Sequence, residues 1–296
     1  NLHKKTKINM KIKINSRTIG DETPAYVIAE IGLNHNGDIE LAKKLIIEAK
    51  LRGADAVKFQ KRFPDECVPE TKKIEPRNTP WGEMTYLDYR HRLEFGVKEY
   101  KEIDEFCLKN NIDWFVSAWD HSSVDFMKQF NPIAIKIPSD KMNDLEFLKK
   151  TQELNCPIIL SSGGSSEDVI EAAISTVGKD NNAILQCTSI YPCETSQLDL
   201  KVISTFREKY KMVSGLSCHH TSPVFGSFSL SYGAKIVEQH FTLNRSFWGS
   251  DQSMSLEPRG LELLVKYIRM FEASKGDGVK KVHDLEKKVL SRTVGR

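Results

Sequence analysis

Two lysines lie inside short aliphatic runs, where a charge is costly to bury. Lys58 and Gln60 share one face of Val57-Lys58-Phe59-Gln60, and Val57 and Phe59 share the other. Lys136 stands between Ile135 and Ile137, so isoleucines facing outward would turn it inward. A buried ammonium needs an anion. Two of them point to a bound phosphate or carboxylate, with Lys–Glu pairing through Glu30 or Glu238 as the alternative reading. His219 and His240 close two further runs. Neutral imidazoles there can share one divalent metal, supported by Glu238 or Asp251; ordinary hydrogen-bonded histidines are the alternative. Ser162-Gly163-Gly164 opens backbone N–H groups to a ligand, and Ser165 with Asp168 reads as a helix capping box, a place that suits an anion. Cys187 and Cys218 read as soft ligands or as small apolar filling. His35 and His121 stay undecided.

The elements that must position these groups alternate regularly. Eight strands are predicted at Ala25–Gly32, Ala56–Gln60, Trp114–Ala118, Ile133–Ile137, Ile158–Ser161, Ala183–Cys187, Met212–Ser217 and Lys235–His240. Helical periodicity follows at Ile39–Leu51, Lys98–Lys109, Ser123–Phe130, Asp144–Leu154, Glu167–Thr176, Leu198–Tyr210, Val224–Tyr232 and Gly260–Glu272. Eight βα units predict an α/β fold, a closed (β/α)8 TIM barrel, with the reactive groups at the C-terminal strand ends. Met10–Gly20 alternates apolar and charged residues around Asn15-Ser16 and predicts a short N-terminal β-hairpin over one barrel end. Lys61–Glu94 is long for a βα loop and reads as a functional or a disordered segment, the nearest candidate for a cover, with Arg62, Arg77, Arg90 and Arg92 in it. The expected division is an extension and hairpin over 1–23, a catalytic barrel over 24–273, and a charged tail or linker over 274–296.

Composition excludes other classes. With 43 Lys+Arg against 40 Asp+Glu in 296 residues, the net charge of +3 gives no reason to expect a nucleic-acid partner. No window is apolar for the length of a membrane span, so no membrane partner is expected either. Six cysteines without a Cys-x-x-Cys pair suit a reducing compartment, which predicts a cytoplasmic protein.

In order along the chain, AEIGLNHNGD (Ala29–Asp38), GADAVKFQ (Gly53–Gln60), KIPSD (Lys136–Asp140), LSSGGSS (Leu160–Ser166), QCTSIYP (Gln186–Pro192), GLSCHH (Gly215–His220) and VEQHFTL (Val237–Leu243), with Asp251, resemble the N-acetylneuraminate (sialic acid) synthase family. The similarity covers roughly Met10 to Phe271. It implies a transferase of carbohydrate biosynthesis. Phosphoenolpyruvate is condensed with an open-chain N-acetylhexosamine, such as N-acetylmannosamine, to give a sialic-acid-like 2-keto-3-deoxy acid and phosphate. It also implies a divalent metal, Mn²⁺ or else Mg²⁺ or Co²⁺, on His219 and His240, polarising the sugar aldehyde. Lys58, Lys136, Ser139, Ser166, Ser189 and Ser217 match positions that hold phosphoenolpyruvate. Gln60, Tyr191 and Asp251 match positions near the sugar, and Glu30 matches an acidic residue at the reacting centre. Family members usually carry a C-terminal antifreeze-like domain that lends an arginine to a partner chain's sugar site, which implies a homodimer. This chain stops at Arg296, about where the linker to that domain would begin.

Three residues depart from the family pattern: Ala118 for a threonine, Cys218-His219-His220 for Asp-His-Thr, and Lys141 for a glutamate. These predict a changed acceptor site. They also admit two other readings. One is a pyruvate aldolase using Lys136 as a Schiff-base nucleophile. The other is a barrel that binds a sugar acid without turning it over.

Overall fold

Eight of the aliphatic runs pair in parallel and close on themselves. The computed structural model describes residues 10–293. Its strands are β1 (Lys11–Ile14), β2 (Arg17–Gly20), β3 (Tyr26–Gly32), β4 (Ala56–Lys61), β5 (Pro76–Thr79), β6 (Gly82–Thr85), β7 (Asp113–Ala118), β8 (Ile135–Ile137), β9 (Ile158–Ser161), β10 (Ala183–Cys187), β11 (Val213–Cys218) and β12 (Ile236–His240). Around the barrel the order is β3-β4-β7-β8-β9-β10-β11-β12 and back to β3. The fold is the (β/α)8 barrel that the spacing predicts.

Helices cover the outside: α1 (Ile39–Leu51), α2 (Pro64–Cys67), α3 (Glu70–Lys73), α4 (Tyr86–Leu93), α5 (Val97–Asn110), α6 (His121–Met127), α7 (Leu145–Gln152), α8 (Glu167–Val177), α9 (Val202–Tyr210), α10 (Val224–Ser229), α11 (Pro258–Ser274) and α12 (Asp284–Thr293). The outward residues of the strands, among them Val57, Phe59, Ile135 and Ile137, share one core with the buried faces of α1, α5, α6, α7, α8, α9 and α11. α5 shows why its segment is a helix: Tyr100, Ile103 and Cys107 form the buried stripe, and Asn111 in the left-handed region ends it.

Antiparallel β1 and β2 form the predicted hairpin, turning at Asn15 with φ 52°. Ile12, Ile14 and Ile19 are buried against Tyr26, Ile28, Phe115 and Ile159 near the N-terminal ends of the barrel strands. Each such side chain removed from water contributes about 1.5–3 kcal/mol. The barrel is therefore plugged at its floor.

Four local expectations need correction. Lys61–Glu94 is not an open loop; it holds α2, α3, the β5–β6 hairpin and α4, with Tyr89 and Leu93 packed under Trp248. α6 starts at His121 rather than Ser123, because the Asp120 carboxylate accepts from the Ser123 amide. α9 starts at Val202 rather than Leu198, because Asp199 adopts φ 46°. α8 is preceded by Ser166, not Ser165, and no side-chain cap bond forms there, so the capping box is absent. The tail is helical over α12. Among the described residues no helix is long and apolar enough to cross a membrane, and the six cysteines are free thiols.

Candidate functional site

A cavity of about 380 Å³ opens at the C-terminal ends of the barrel strands. Alternation along each strand decides what lines it. On β4, Lys58 and Gln60 face in while Val57 and Phe59 join the outer core. On β8, Lys136 faces in between two outward isoleucines. Glu30 comes from β3, Ser117 from β7, Ser217 from β11, and Glu238 with His240 from β12.

At the base of the cavity two cations and two anions interlock. Lys58 Nζ donates to Ser117 Oγ at 2.7 Å and stands 2.6 Å from Glu30 Oε2 and 3.6 Å from Glu238 Oε1. Lys136 Nζ is 3.2 Å from Glu238 Oε1, which also accepts from Ser217 Oγ at 3.1 Å. Gln60 Nε2 donates to Glu30 Oε1 at 3.0 Å. Lys–Glu pairing thus replaces the expectation that the lysines require an outside anion. Lys58 donates to Ser117 and ion-pairs with both carboxylates, whereas Lys136 has a single carboxylate partner and protons to spare.

The two carboxylates differ in proton affinity. Burial raises the Glu30 pKa, and the neighbouring Glu238 charge adds to that, against the pull of Lys58. Burial acts on Glu238 in the same sense, but Lys136 and Lys58 overcome it and hold the group down at about 2. Glu238 is the fixed anion, and Glu30 the one able to carry a proton. The chain passes between these groups at Gly32, whose φ is +55°; a Cβ there would lie 3.0 Å from Gln60 Nε2, 3.1 Å from Glu30 Oε1 and 3.6 Å from Asp251 Oδ2. Gly32 therefore brings Asp251 close to the Glu30–Gln60 pair.

On one side of the cavity the hydroxyls of Ser139 and Ser189 converge over Gly163, where any Cβ would overlap both. Ser189 belongs mainly to an adjoining groove beside Thr188 and Gln197. Ser166 is exposed at the head of α8 and lies outside the residues lining the cavity.

His219 and His240 have their rings 5.5 Å apart, and Tyr191 lies 4.1 Å from the His219 ring. His219 Nδ1 is 2.7 Å from the Thr188 carbonyl. A carbonyl only accepts, so Nδ1 carries the proton and Nε2 keeps a lone pair. Burial lowers the His219 pKa, but the Cys187 thiol and the Thr188 carbonyl outweigh it and raise the value. Burial takes His240 down to about 4, leaving it neutral, and its Nδ1 is buried without a partner. The neutral His240 ring and, once deprotonated, His219 Nε2 are nitrogen donors that fit a borderline divalent cation. Among the described residues no cluster of three His, Cys, Asp or Glu is arranged to hold a metal alone, so a cation here would take its remaining ligands from water and substrate.

The departures from the family pattern face elsewhere. Ala118 is in the outer core. Lys141 is 3.6 Å from Asp144 and lies over the Phe147 ring. Cys218 packs with Cys193, Leu198 and Ile203, and burial pushes its thiol up to about 12. Cys187, by contrast, lines the cavity. Replacing Cys218 with Ser is expected to leave metal content and kcat unchanged. Thermal unfolding should show the packing cost of a poorly partnered buried hydroxyl, about 1–3 kcal/mol; loss of metal in this variant would make Cys218 a ligand after all. His35 stacks on Phe95 at 4.0 Å and His121 packs edge-on against Phe147; neither lines the cavity.

Of the four arginines that the sequence offers as cover, Arg62 and Arg90 line the cavity, whereas Arg77 and Arg92 stack on surface aromatics. Trp119, which also lines it, was missed. A signal for Arg62 was present: Lys58, Gln60 and Arg62 continue the same period of two.

The profile of the NeuB family matches residues 45–280. The chain is 35% identical over 272 residues to the N,N'-diacetyllegionaminic acid synthase of Campylobacter jejuni, covering 90% of this chain and 81% of that one. It is 34% identical over 276 residues to the N-acetylneuraminate-9-phosphate synthase of Homo sapiens, covering 90% and 75%. The crystal structure of an N-acetylneuraminic acid (sialic acid) synthetase from Leptospira borgpetersenii, in complex with citrate, superposes with a TM-score of 0.85 at 29% identity, covering 97% of this chain and 98% of that one.

Proposed function

The chain belongs to the NeuB family, and from that premise we propose that it condenses phosphoenolpyruvate with the open-chain aldehyde of an N-acetylated hexosamine. The products are a sialic-acid-like 2-keto-3-deoxy acid and inorganic phosphate. One observation carries the reading: a single cavity holds a protonatable Glu30, a fixed Glu238 anion, a lysine with free donors and two imidazoles whose rings are 5.5 Å apart.

Lys136 and Ser139 in the cavity wall, with Ser189 converging on Ser139 over Gly163, form the cradle for phosphoenolpyruvate. Lys58, ion-paired to both carboxylates, positions Glu30 and Glu238 rather than the substrate. Gln60, Tyr191 and Asp251 face the acceptor. The enol carbon attacks the aldehyde carbon, and Glu30 gives its proton to the aldehyde oxygen as the carbon–carbon bond forms. Water then adds at C2, and phosphate leaves. His219 and His240 would hold a divalent cation, Mn²⁺ with Mg²⁺ or Co²⁺ as substitutes, which when bound supplies Lewis-acid polarisation of the aldehyde.

The aldolase reading needs a neutral Lys136, and the ionised Glu238 at 3.2 Å opposes that. The non-catalytic reading rested on departures that face away from the cavity. Inorganic phosphate is expected to appear from phosphoenolpyruvate only when an N-acetylated hexosamine and Mn²⁺ are both present. Borohydride trapping of pyruvate on Lys136, or no phosphate with any acceptor, would overturn the assignment.

A further inference from the structure

Arg62 and Arg90 are cations of the cavity wall that the reaction above does not use. Arg90 is 7% exposed, and among the described residues it pairs with no carboxylate. Arg62 lies flat against the Trp119 ring, its guanidinium carbon 3.7 Å from the ring centre, and its Nη1 is covered and without a partner. Trp119 Nε1 is likewise a buried donor without an acceptor. The nearby Glu94 gives its Oε2 to Lys61 Nζ at 3.3 Å and to the Arg62 backbone amide at 3.1 Å, and its Oε1 is buried without a hydrogen bond. Glu94 and, more weakly, Asp251 act on Arg62 as favourable charges without hydrogen-bonding its guanidinium. Burial and the repulsion of Arg90 pull the Arg62 pKa down to about 10, a strain that a bound anion would relieve.

The balance of charge makes this pair unusual. Lys58 and Lys136 at the base of the cavity each have a carboxylate partner in Glu30 and Glu238. Arg62, Arg90 and Trp119 bring donors with no acceptor among them, an arrangement complementary to an acceptor-only ligand. Position in the barrel separates this wall from the serine cradle. Arg62 follows β4, whereas Ser139, Gly163 and Ser189 follow β8, β9 and β10 on the other side of the ring. Phosphoenolpyruvate seated in that cradle leaves the arginine wall to whatever lies beyond the aldehyde.

We propose that the acceptor is an anionic hexosamine, bearing a phosphate ester or a carboxylate at the end distal to its aldehyde, and that Arg62 and Arg90 hold that group. This rests on the synthase reading for the identity of the acceptor. Guanidinium pairs suit either anion, since both present oxygens to a planar fork. The two arginines set the choice between charged and neutral acceptors, while the chemistry remains with Glu30, Lys136 and the imidazoles.

Calorimetric titration of the intact chain tests this without turnover. The probes are N-acetylmannosamine, its 6-phosphate, the corresponding 6-carboxylate, phosphoenolpyruvate and inorganic phosphate. An anionic sugar should bind at least about tenfold more tightly than the neutral parent, and the better of the two identifies the group. Arg62→Gln and Arg90→Met should each reduce that preference by roughly tenfold. Phosphoenolpyruvate affinity, within about twofold of the parent, serves as the check that each variant is folded. Equal binding of neutral and anionic sugars would overturn the proposal. So would inorganic phosphate binding as well as the sugar phosphate, or variants that lose phosphoenolpyruvate instead. A preserved preference with no phosphate release from phosphoenolpyruvate would overturn the synthase reading and leave the anionic-sugar site standing.

Discussion

Replacing Lys58 with Met is expected to destabilise the folded chain by about 3–5 kcal/mol at neutral pH, the usual cost of stranding a buried charge. Lys58 is the cation closest to Glu30 and the second cation on Glu238, and all three are buried at the base of the cavity. Its removal leaves Glu30 with Gln60 alone, in a place where burial already raises its pKa. The sign of the pH dependence follows. In the parent, Glu238 is held at about 2, so its stabilising contribution is present above the unfolded carboxylate value near ~4.3 and is lost as pH falls through about 2. The gap between Lys58→Met and the parent in urea denaturation should therefore be widest at neutral pH and narrow in acid. Lys58→Met combined with Glu30→Gln should recover most of the stability but no turnover. A Lys58→Met single variant as stable as the parent at neutral pH would show that the buried network does not depend on this ion pair. Lys136→Met should weaken phosphoenolpyruvate binding at least about tenfold, because Lys136 is the lysine with donors to spare.

The second large effect concerns the imidazoles. Chelation should abolish turnover and Mn²⁺ should restore it. His219→Ala and His240→Ala should each lose metal binding and lower kcat by more than about a hundredfold, as removal of Lewis-acid assistance requires. Neither change should unfold the barrel. His240 leaves a nitrogen unpartnered as it stands, and His219 gives up one hydrogen bond to a loop carbonyl. Metal content by plasma emission and kcat on the same samples make the measurement. Full activity in exhaustively demetallated protein would sink this assignment, and retained metal in either variant would remove that residue from the ligand set.

The barrel could be read from the chain because its strands are short aliphatic runs that end in polar residues, a pattern that period and length both constrain. Lys58, Gln60 and Lys136 were placed correctly by alternation alone, since a strand offers only two faces. Alternation could not tell which partners the lysines would find. Glu238 reaches Lys136 across the barrel from β12, a relation set by closure, whereas Glu30 meets Lys58 in register from the adjacent β3. At α8 a local capping motif was outcompeted: Ser166, not Ser165, precedes the helix, and it lies outside the residues lining the cavity. Arg90 was one of four arginines that the loop offered, with no local signal to single it out. It is buried only because α4 folds back over the mouth from a segment that reads as a loop.

The plugged floor has a kinetic consequence. With Ile12, Ile14 and Ile19 filling the N-terminal end of the barrel, the cavity is a cul-de-sac with one mouth. Of two reactants that meet inside it, the deeper must arrive first, because the second lies across its only way in. Departure runs in reverse, so the pocket works as a stack: last in, first out. An acceptor that reached the mouth of the empty protein would then act as a stopper, and a high concentration of the second substrate would slow the reaction it normally completes.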